Sequence, residues 1–270
     1  MDTAAQPDVR GNEAVLLRRD EAGIASLTLN RPDKFNALSV ALLAALQVEL
    51  DAIAEDRSVR VVVLEGAGKA FCAGHDLKEM RENPSAEAIR ALFDQCAKMM
   101  LTIIRIPQPV VARVHGVATA AGCQLVATCD LAVASQKARF AVSGVNLGLF
   151  CSTPMVALSR VMGRKQAMEM LVTGEFIGAE TARDWGLVNR VVAHDRLDEA
   201  VAELAGAIAA KSPAAVAIGK RLFYGQLEQG MEAAYAMASE AMTCNMLTED
   251  AAAGIDAFVA KQPPPKWTGR

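Results

Sequence analysis

Apolar positions along the chain switch between two spacings. Residues 14–18, an apolar run ending in Arg18, and 24–30, largely apolar, read as strands, and the segment 20–23 reads as the turn between them. Residues 39–55 repeat apolar side chains every three to four positions, which predicts a helix with Ser39 as its N-cap. Residues 61–64 form an unbroken apolar run, predicting a buried strand over 61–65. A long helix over 85–106 is stopped by Pro107 and Pro109. Next come a strand over 110–114, a small-residue turn at Gly122, a short helix reaching Thr128, and strands over 130–135 and 138–142. Thr153-Pro154 predicts a helix start with proline at its first position, the helix running to Met162. From Leu197 the pattern is almost wholly helical, with starts at Ser212-Pro213 and Thr248-Glu249-Asp250 and a stop at Pro263-Pro264-Pro265. Strand–helix–strand order with apolar central strands predicts an α/β fold with parallel pairing covered on both faces. The expected organisation is a core over 1–196, whose first dozen residues form a tail, and a helical region over 197–270. That region reads equally as a lid or oligomer interface and as a plain cover for the sheet.

Composition narrows the function. A chain of 270 residues is long enough for one large domain. Its net charge of −3 gives no basic excess for binding a phosphate backbone, so no nucleic-acid partner is expected. No apolar run reaches the ~18 residues of a membrane span, so no membrane partner is expected either. The start, Met1 to Asp8, is polar and acidic, unlike a secretory or transit signal. Six cysteines include no C-x-x-C pair and histidines number only three, which argues against a metal centre. Cysteines in apolar segments read as buried reduced thiols, and the expected compartment is cytoplasmic.

The candidate chemistry lies in two glycine-containing turns. Phe71-Cys72-Ala73-Gly74-His75-Asp76 follows one apolar strand and Ala120-Ala121-Gly122-Cys123-Gln124-Leu125 follows another. A small-residue turn that opens a helix leaves backbone N–H groups unpaired. Two such turns side by side can hold one oxygen between two donors, the arrangement of an oxyanion hole. Val63-Leu64-Glu65-Gly66-Ala67-Gly68 imitates the start of a dinucleotide fingerprint, but its third glycine would fall on Phe71, and nucleotide redox chemistry is set aside.

These turns sit within a longer pattern that resembles the enoyl-CoA hydratase/isomerase (crotonase) superfamily. It includes Leu29-Asn30-Arg31-Pro32-Asp33-Lys34-Phe35-Asn36-Ala37-Leu38, Ala70 through Met80, His115-Gly116, Cys129-Asp130-Leu131, Ala167 through Glu175 and Ala182 through Val188. The resemblance implies a spiral of ββα units with a helical C-terminal trimerisation region, a homotrimer or hexamer, and a CoA thioester as ligand with no cofactor besides. It places the oxyanion donors at the backbone N–H of His75 and Ala121; the His75 imidazole is then either incidental or an acid–base group. The backbone at Ala73 and Leu77 would meet CoA, Lys34 its phosphates, and Lys261 a neighbouring subunit's nucleotide. Hydratases of the family activate water with two glutamates, and here those positions hold Gln124 and Gly144. Neither can move a proton, and general acid–base groups supply roughly 100- to 10,000-fold each. Replacement candidates are Asn146, Cys151 and Ser152, with Cys151 read either as a reactive thiol or as buried filler. The expectation is an acyl-CoA-binding family member that stabilises a thioester enolate. The nominal activity is enoyl-CoA hydratase, and the alternatives are a non-catalytic or regulatory acyl-CoA binder and a thioester hydrolase or decarboxylase with relocated chemistry.

Overall fold

The computed structural model describes residues 14–270; the tail expected over the first dozen residues lies outside them. A hairpin opens the fold. β1 (Leu16–Glu21) and β2 (Ile24–Leu29) pair antiparallel across a turn in which both Ala22 and Gly23 have positive φ. α1 (Val40–Glu55) follows, with the Ser39 hydroxyl accepting from Leu42 N–H as the sequence predicts.

The next three units repeat one plan. β3 (Val61–Gly66) and β4 (Ala70–Cys72) lead to α2 (Leu77–Glu82) and α3 (Ala86–Arg105). β5 (Val110–Val114) and β6 (Val117–Thr119) lead to α4 (Ala121–Thr128), and β7 (Leu131–Ser135) and β8 (Arg139–Ala141) lead to α5 (Ser152–Val161). In each unit the first strand joins a large sheet and the second a small one. β9 (Ile177–Gly178) and β10 (Arg190–Val192) complete the sheets, whose orders are β1-β2-β3-β5-β7-β10 and β4-β6-β8-β9. From β2 to β10 the large sheet is parallel. The chain thus advances as a spiral of ββα turns, the expected architecture.

Alternation along the central strands sorts the core. Val62, Leu64, Val110 and Ala112 face one side, in one cluster with Leu42, Leu46, Met99 and Ile103 of α1 and α3. Val61, Val63, Val111 and Val133 face the other, against Leu197, Val201 and Ala205 of α8 (Leu197–Ala209). The first C-terminal helix is therefore a cover for the sheet. α6 (Arg164–Thr173) and α7 (Ala179–Asp184) lie between α5 and β10. α9 (Pro213–Gln226), α10 (Met231–Met246) and α11 (Glu249–Val259) complete the helical region, and α10 buries none of its side chains. Among the described residues no single helix is long and apolar enough to cross a membrane.

One boundary differs from the sequence expectation. α5 begins at Ser152, with Cys151 at the cap, so Pro154 is its third residue rather than its first. Cys151 O accepts from Met155 N–H, while the Ser152 hydroxyl turns back to Phe150 O.

Candidate functional site

The first turn is held by a loop of its own making. β4 ends at Cys72, Gly74 takes φ +90°, and Asp76 accepts from Lys78 and Glu79 N–H to cap α2. The 31–39 segment lies alongside: Ala73 N–H donates to Phe35 O, Leu38 N–H to Gly74 O and Asp76 N–H to Leu38 O. Two residues fix that segment. Asn36, fully buried at φ +55°, accepts from Arg31 N–H at 2.9 Å and donates to both Ala67 O and Ala70 O at 2.8 Å. Arg31 donates to Ala37 O and forms a 2.9 Å ion pair with Asp76. Sequence reasoning passed over both as site residues; Asn36, a polar residue between Phe35 and Ala37-Leu38, was the available signal.

The second turn is strained. β6 ends at Thr119, and Ala120 adopts φ 49° and ψ −119°, a region that L-residues enter at a cost of about 1–3 kcal/mol. Ala120 N–H donates to Ala141 O and its carbonyl accepts from Gln124 N–H, so both neighbours pin it. Ala121 is the first residue of α4 and does not itself have positive φ. The strain falls one residue earlier and sets the direction in which α4 starts.

The two turns touch. Thr119 Oγ1 donates to Ala73 O at 3.0 Å. A Cβ on Gly74 would stand 2.9 Å from Ala120 Cβ and 3.2 Å from Ala121 N, and a Cβ on Gly122 would run into Cys72 O. Glycine at these two positions is what lets the turns adjoin. Among the described residues neither His75 N–H nor Ala121 N–H has a protein acceptor.

Beside these amides stand two buried, uncharged side chains, His75 and Gln124. Burial pushes the His75 imidazole below its ordinary pKa, and its ring packs edge-on against Phe93, centroids 5.4 Å apart. Both ring nitrogens are buried without a hydrogen-bond partner; the Leu38 backbone lies near enough to temper the shift but not in bonding geometry. Gln124 is 5 % exposed and its Oε1 is likewise unpartnered. Burial works to raise Asp76, but the Arg31 guanidinium and the helix N–H groups outweigh it and hold the carboxylate below its usual range. Asp76 is thereby engaged in holding the loop.

Gly144, where the resemblance would put a second glutamate, has no room for a side chain. A Cβ on Gly144 would stand 2.6 Å from Leu149 O and 2.7 Å from Cys151 Sγ. Cys151 Sγ accepts from Gly144 N–H at 3.3 Å. Burial pushes this thiol up, partly offset by that N–H, so it is neither a thiolate nor an activated nucleophile. Asn146 donates to Gly174 O just past the end of α6 at 3.4 Å. Ser152 is exposed and bonds locally.

The groups expected to meet CoA divide. Lys34 is exposed at the end of the 3-10 turn Pro32–Lys34, in the segment beside the first turn. Leu77 begins α2, half exposed, and its N–H has no acceptor among the described residues. Ala73 differs: its N–H is taken by Phe35 O, leaving no free donor. Lys261 follows α11 with φ 54°, and its side chain makes no hydrogen bond or ion pair among the described residues. The single chain does not join it to the 31–39 segment. No group of three or more His, Cys, Asp or Glu that could hold a metal occurs among the described residues.

The geometry can be set beside known proteins. The family model described as Enoyl-CoA hydratase/isomerase matches residues 19–270. Enoyl-CoA hydratase domain-containing protein 3, mitochondrial, of Rattus norvegicus is 45% identical over 246 residues, covering 91% of this chain and 82% of the relative. A crystal structure of an enoyl-CoA hydratase of Mycobacterium smegmatis superposes with TM-score 0.92 at 60% identity, covering 94% of this chain and 99% of that one. The human enoyl-CoA hydratase domain-containing protein 3 structure superposes with TM-score 0.91 at 44% identity, covering 93% and 100%. The word mitochondrial in the names of the rat, mouse and human relatives overturns the cytoplasmic expectation. Reduced, buried thiols are compatible with either compartment and could not decide between them. A match across nearly the whole chain, together with the spiral of ββα turns, establishes that this protein belongs to the enoyl-CoA hydratase/isomerase family.

Proposed function

We propose that the protein binds acyl-CoA thioesters and stabilises enolate-like charge on the thioester oxygen, without the two-carboxylate route to hydration. The observation that carries this reading is the pair of unpaired N–H groups of His75 and Ala121 on turns that Gly74 brings together. Two preorganised donors act most strongly where charge develops, and removing one such donor typically costs about 100- to 1,000-fold in rate. Lys34 and the free N–H of Leu77 border the same turn and supply contacts for the phosphates and pantetheine of CoA. Lys261 would act across a subunit boundary, in a homotrimer or hexamer.

Four features argue against hydration. Gln124 has no proton to give or take, Gly144 has no side chain, and the space beside Gly144 is filled by Cys151. The carboxylate of Asp76 is committed to Arg31 and to α2. The neutral imidazole of His75 is the one titratable group of the turn left for proton transfer. A second reading, a non-catalytic acyl-CoA binder, rests on the same substitutions and differs only in whether His75 moves a proton.

Incubation with crotonyl-CoA and with butyryl-CoA in heavy water, followed by mass spectrometry, tests the proposal. The expected result is no water addition to crotonyl-CoA and deuterium at the α-carbon of butyryl-CoA. Binding with neither change selects the non-catalytic reading. Rapid hydration of crotonyl-CoA, or no binding of either thioester, contradicts the proposal.

A further inference from the structure

At the opposite edge of the large sheet from the two turns, three segments of chain enclose an open cleft of about 640 Å3. Gly23 and Arg60 stand where β2 and β3 begin, and β3 leads at its other end toward the turn at Gly74. Lys211 follows α8, and the stretch from Pro264 to Trp267 follows α11. Arg60, Lys211 and Lys266 all line the cleft, and no carboxylate does. None of the three forms an ion pair among the described residues. Acids outnumber bases in the whole chain, 31 to 28, so the positive cleft is a local construction and not the expression of a basic chain.

The cations are held there. Arg60 N–H donates to Gly23 O at 2.7 Å, and the stem of Arg60 lies so close over Gly23 that a Cβ there would stand 3.1 Å from Arg60 Cγ. The Arg60 guanidinium donates to Lys211 O at 3.1 Å, which ties it to the residue carrying the second cation. Its other donors have no partner among the described residues. The C-terminal tail brings the third cation. Trp267 Nε1 donates to Ala210 O at 2.8 Å, and Thr268 and Gly269 N–H donate to the buried Asp250 at 2.7 and 3.1 Å. Two prolines of fixed φ precede Lys266 and this anchor follows it, so Lys266 is kept at the cleft. Like charges gathered in a concavity with alanine, proline and tryptophan in its walls repel one another and focus positive potential. We propose that this cleft binds a small polyanion of the phosphate type, either a free diphosphate or the diphosphate of a nucleotide. A guanidinium fork and two ammonium groups answer phosphate oxygens. Three cations balance a diphosphate better than a single carboxylate. The proposal does not use the acyl-CoA reading, because the cleft lies at the other edge of the sheet and the readout is binding alone.

The test is calorimetric titration of the full chain with pyrophosphate and with adenosine diphosphate at low ionic strength. The wild type is compared with Arg60→Gln, Lys211→Gln, Lys266→Gln and Lys34→Gln, each first shown by thermal melting to be folded. Lys211 and Lys266 are exposed, so their variants decide the matter even if Arg60→Gln does not fold. Each of the three cleft variants should weaken pyrophosphate binding about 5- to 10-fold, and Lys34→Gln, beside the first turn, should leave it unchanged. Adenosine diphosphate bound more tightly than pyrophosphate, and weakened by the same variants, identifies a nucleotide as the ligand. Adenosine diphosphate bound equally or less tightly identifies a free polyphosphate. Failure of both probes to bind overturns the site. Binding that survives all three cleft variants, or that is lost in Lys34→Gln instead, puts the anion elsewhere and overturns it as well. Each of these failures leaves the acyl-CoA reading standing, since that reading is tested by thioester binding.

Discussion

At the scale of residues, the site depends on contacts with no slack. Gly122→Ala would drive a methyl into Cys72 O, and overpacking of this kind costs about 1–3 kcal/mol or more. The expected outcome is a lower melting temperature and weaker acyl-CoA binding, read by differential scanning fluorimetry and titration; a silent variant would mean the turns adjoin more loosely than described. Asn36→Ala removes three buried hydrogen bonds and should cost about 2–4 kcal/mol in chemical unfolding. The histidines make a pH prediction. His75 and His115 both have folded-state values below the ordinary ~6.5, so below that value the unfolded chain binds more protons than the folded one. Their contribution to stability is complete above pH 7 and is lost as pH falls through 6.5 toward the depressed values. Chemical unfolding at pH 7.5 and 5.5 should show this loss, and His75→Leu should flatten it in part. An unchanged pH dependence in that variant would contradict a buried neutral His75. Gln124 and Gly144 stand in the sequence itself, at the positions where the family resemblance leads one to expect glutamates. It could not reveal that Cys151 fills the space at Gly144, which depends on how the segment 144–151 folds back.

Elements with long periods were legible and short ones were not. Strands 24–30, 61–65 and 110–114 and the helices over 39–55 and 85–106 announced themselves through alternation, caps and prolines. The strands of the small sheet have two or three residues each, too few to display a period, and they pair with one another where successive strands of the larger sheet bring them side by side. Of these, only β8 was read from the sequence, as the strand over 138–142; β4, β6 and β9 were not. The start of α5 was misplaced because Pro154 suits a third helical position as well as a first when its N–H is not required. The attachment of α9 was equally hidden. Lys220 on that helix is buried and donates to Ile103 O, Gln108 O and Asp130, and Asp130 also accepts from Val110 N–H and the Tyr224 hydroxyl. Burial lowers the Lys220 pKa, opposed by Asp130, so the pair stands or falls together. Lys220→Met would strand a buried carboxylate and should cost about 3–5 kcal/mol in urea unfolding. Adding Asp130→Asn should recover part of that loss; a double variant no better than the single would deny the coupling.

At the scale of the molecule, the chain leaves apolar surface uncovered. Met231, Tyr235, Leu247, Phe258 and Val259 on the last helices are all more than two-thirds exposed, and α10 buries nothing. Such a face in an otherwise ordinary chain calls for association, and a trimer or a multiple of it should appear in sedimentation velocity at micromolar protein. A monomer under those conditions would contradict the oligomer proposed above. The central claim can be tested most directly by infrared spectroscopy of butyryl-CoA carrying a 13C-labelled thioester carbonyl. If His75 and Ala121 N–H grip that oxygen together, the carbonyl stretch moves to lower frequency when the thioester binds. A bound thioester whose carbonyl band stays at its solution position would contradict the oxyanion hole.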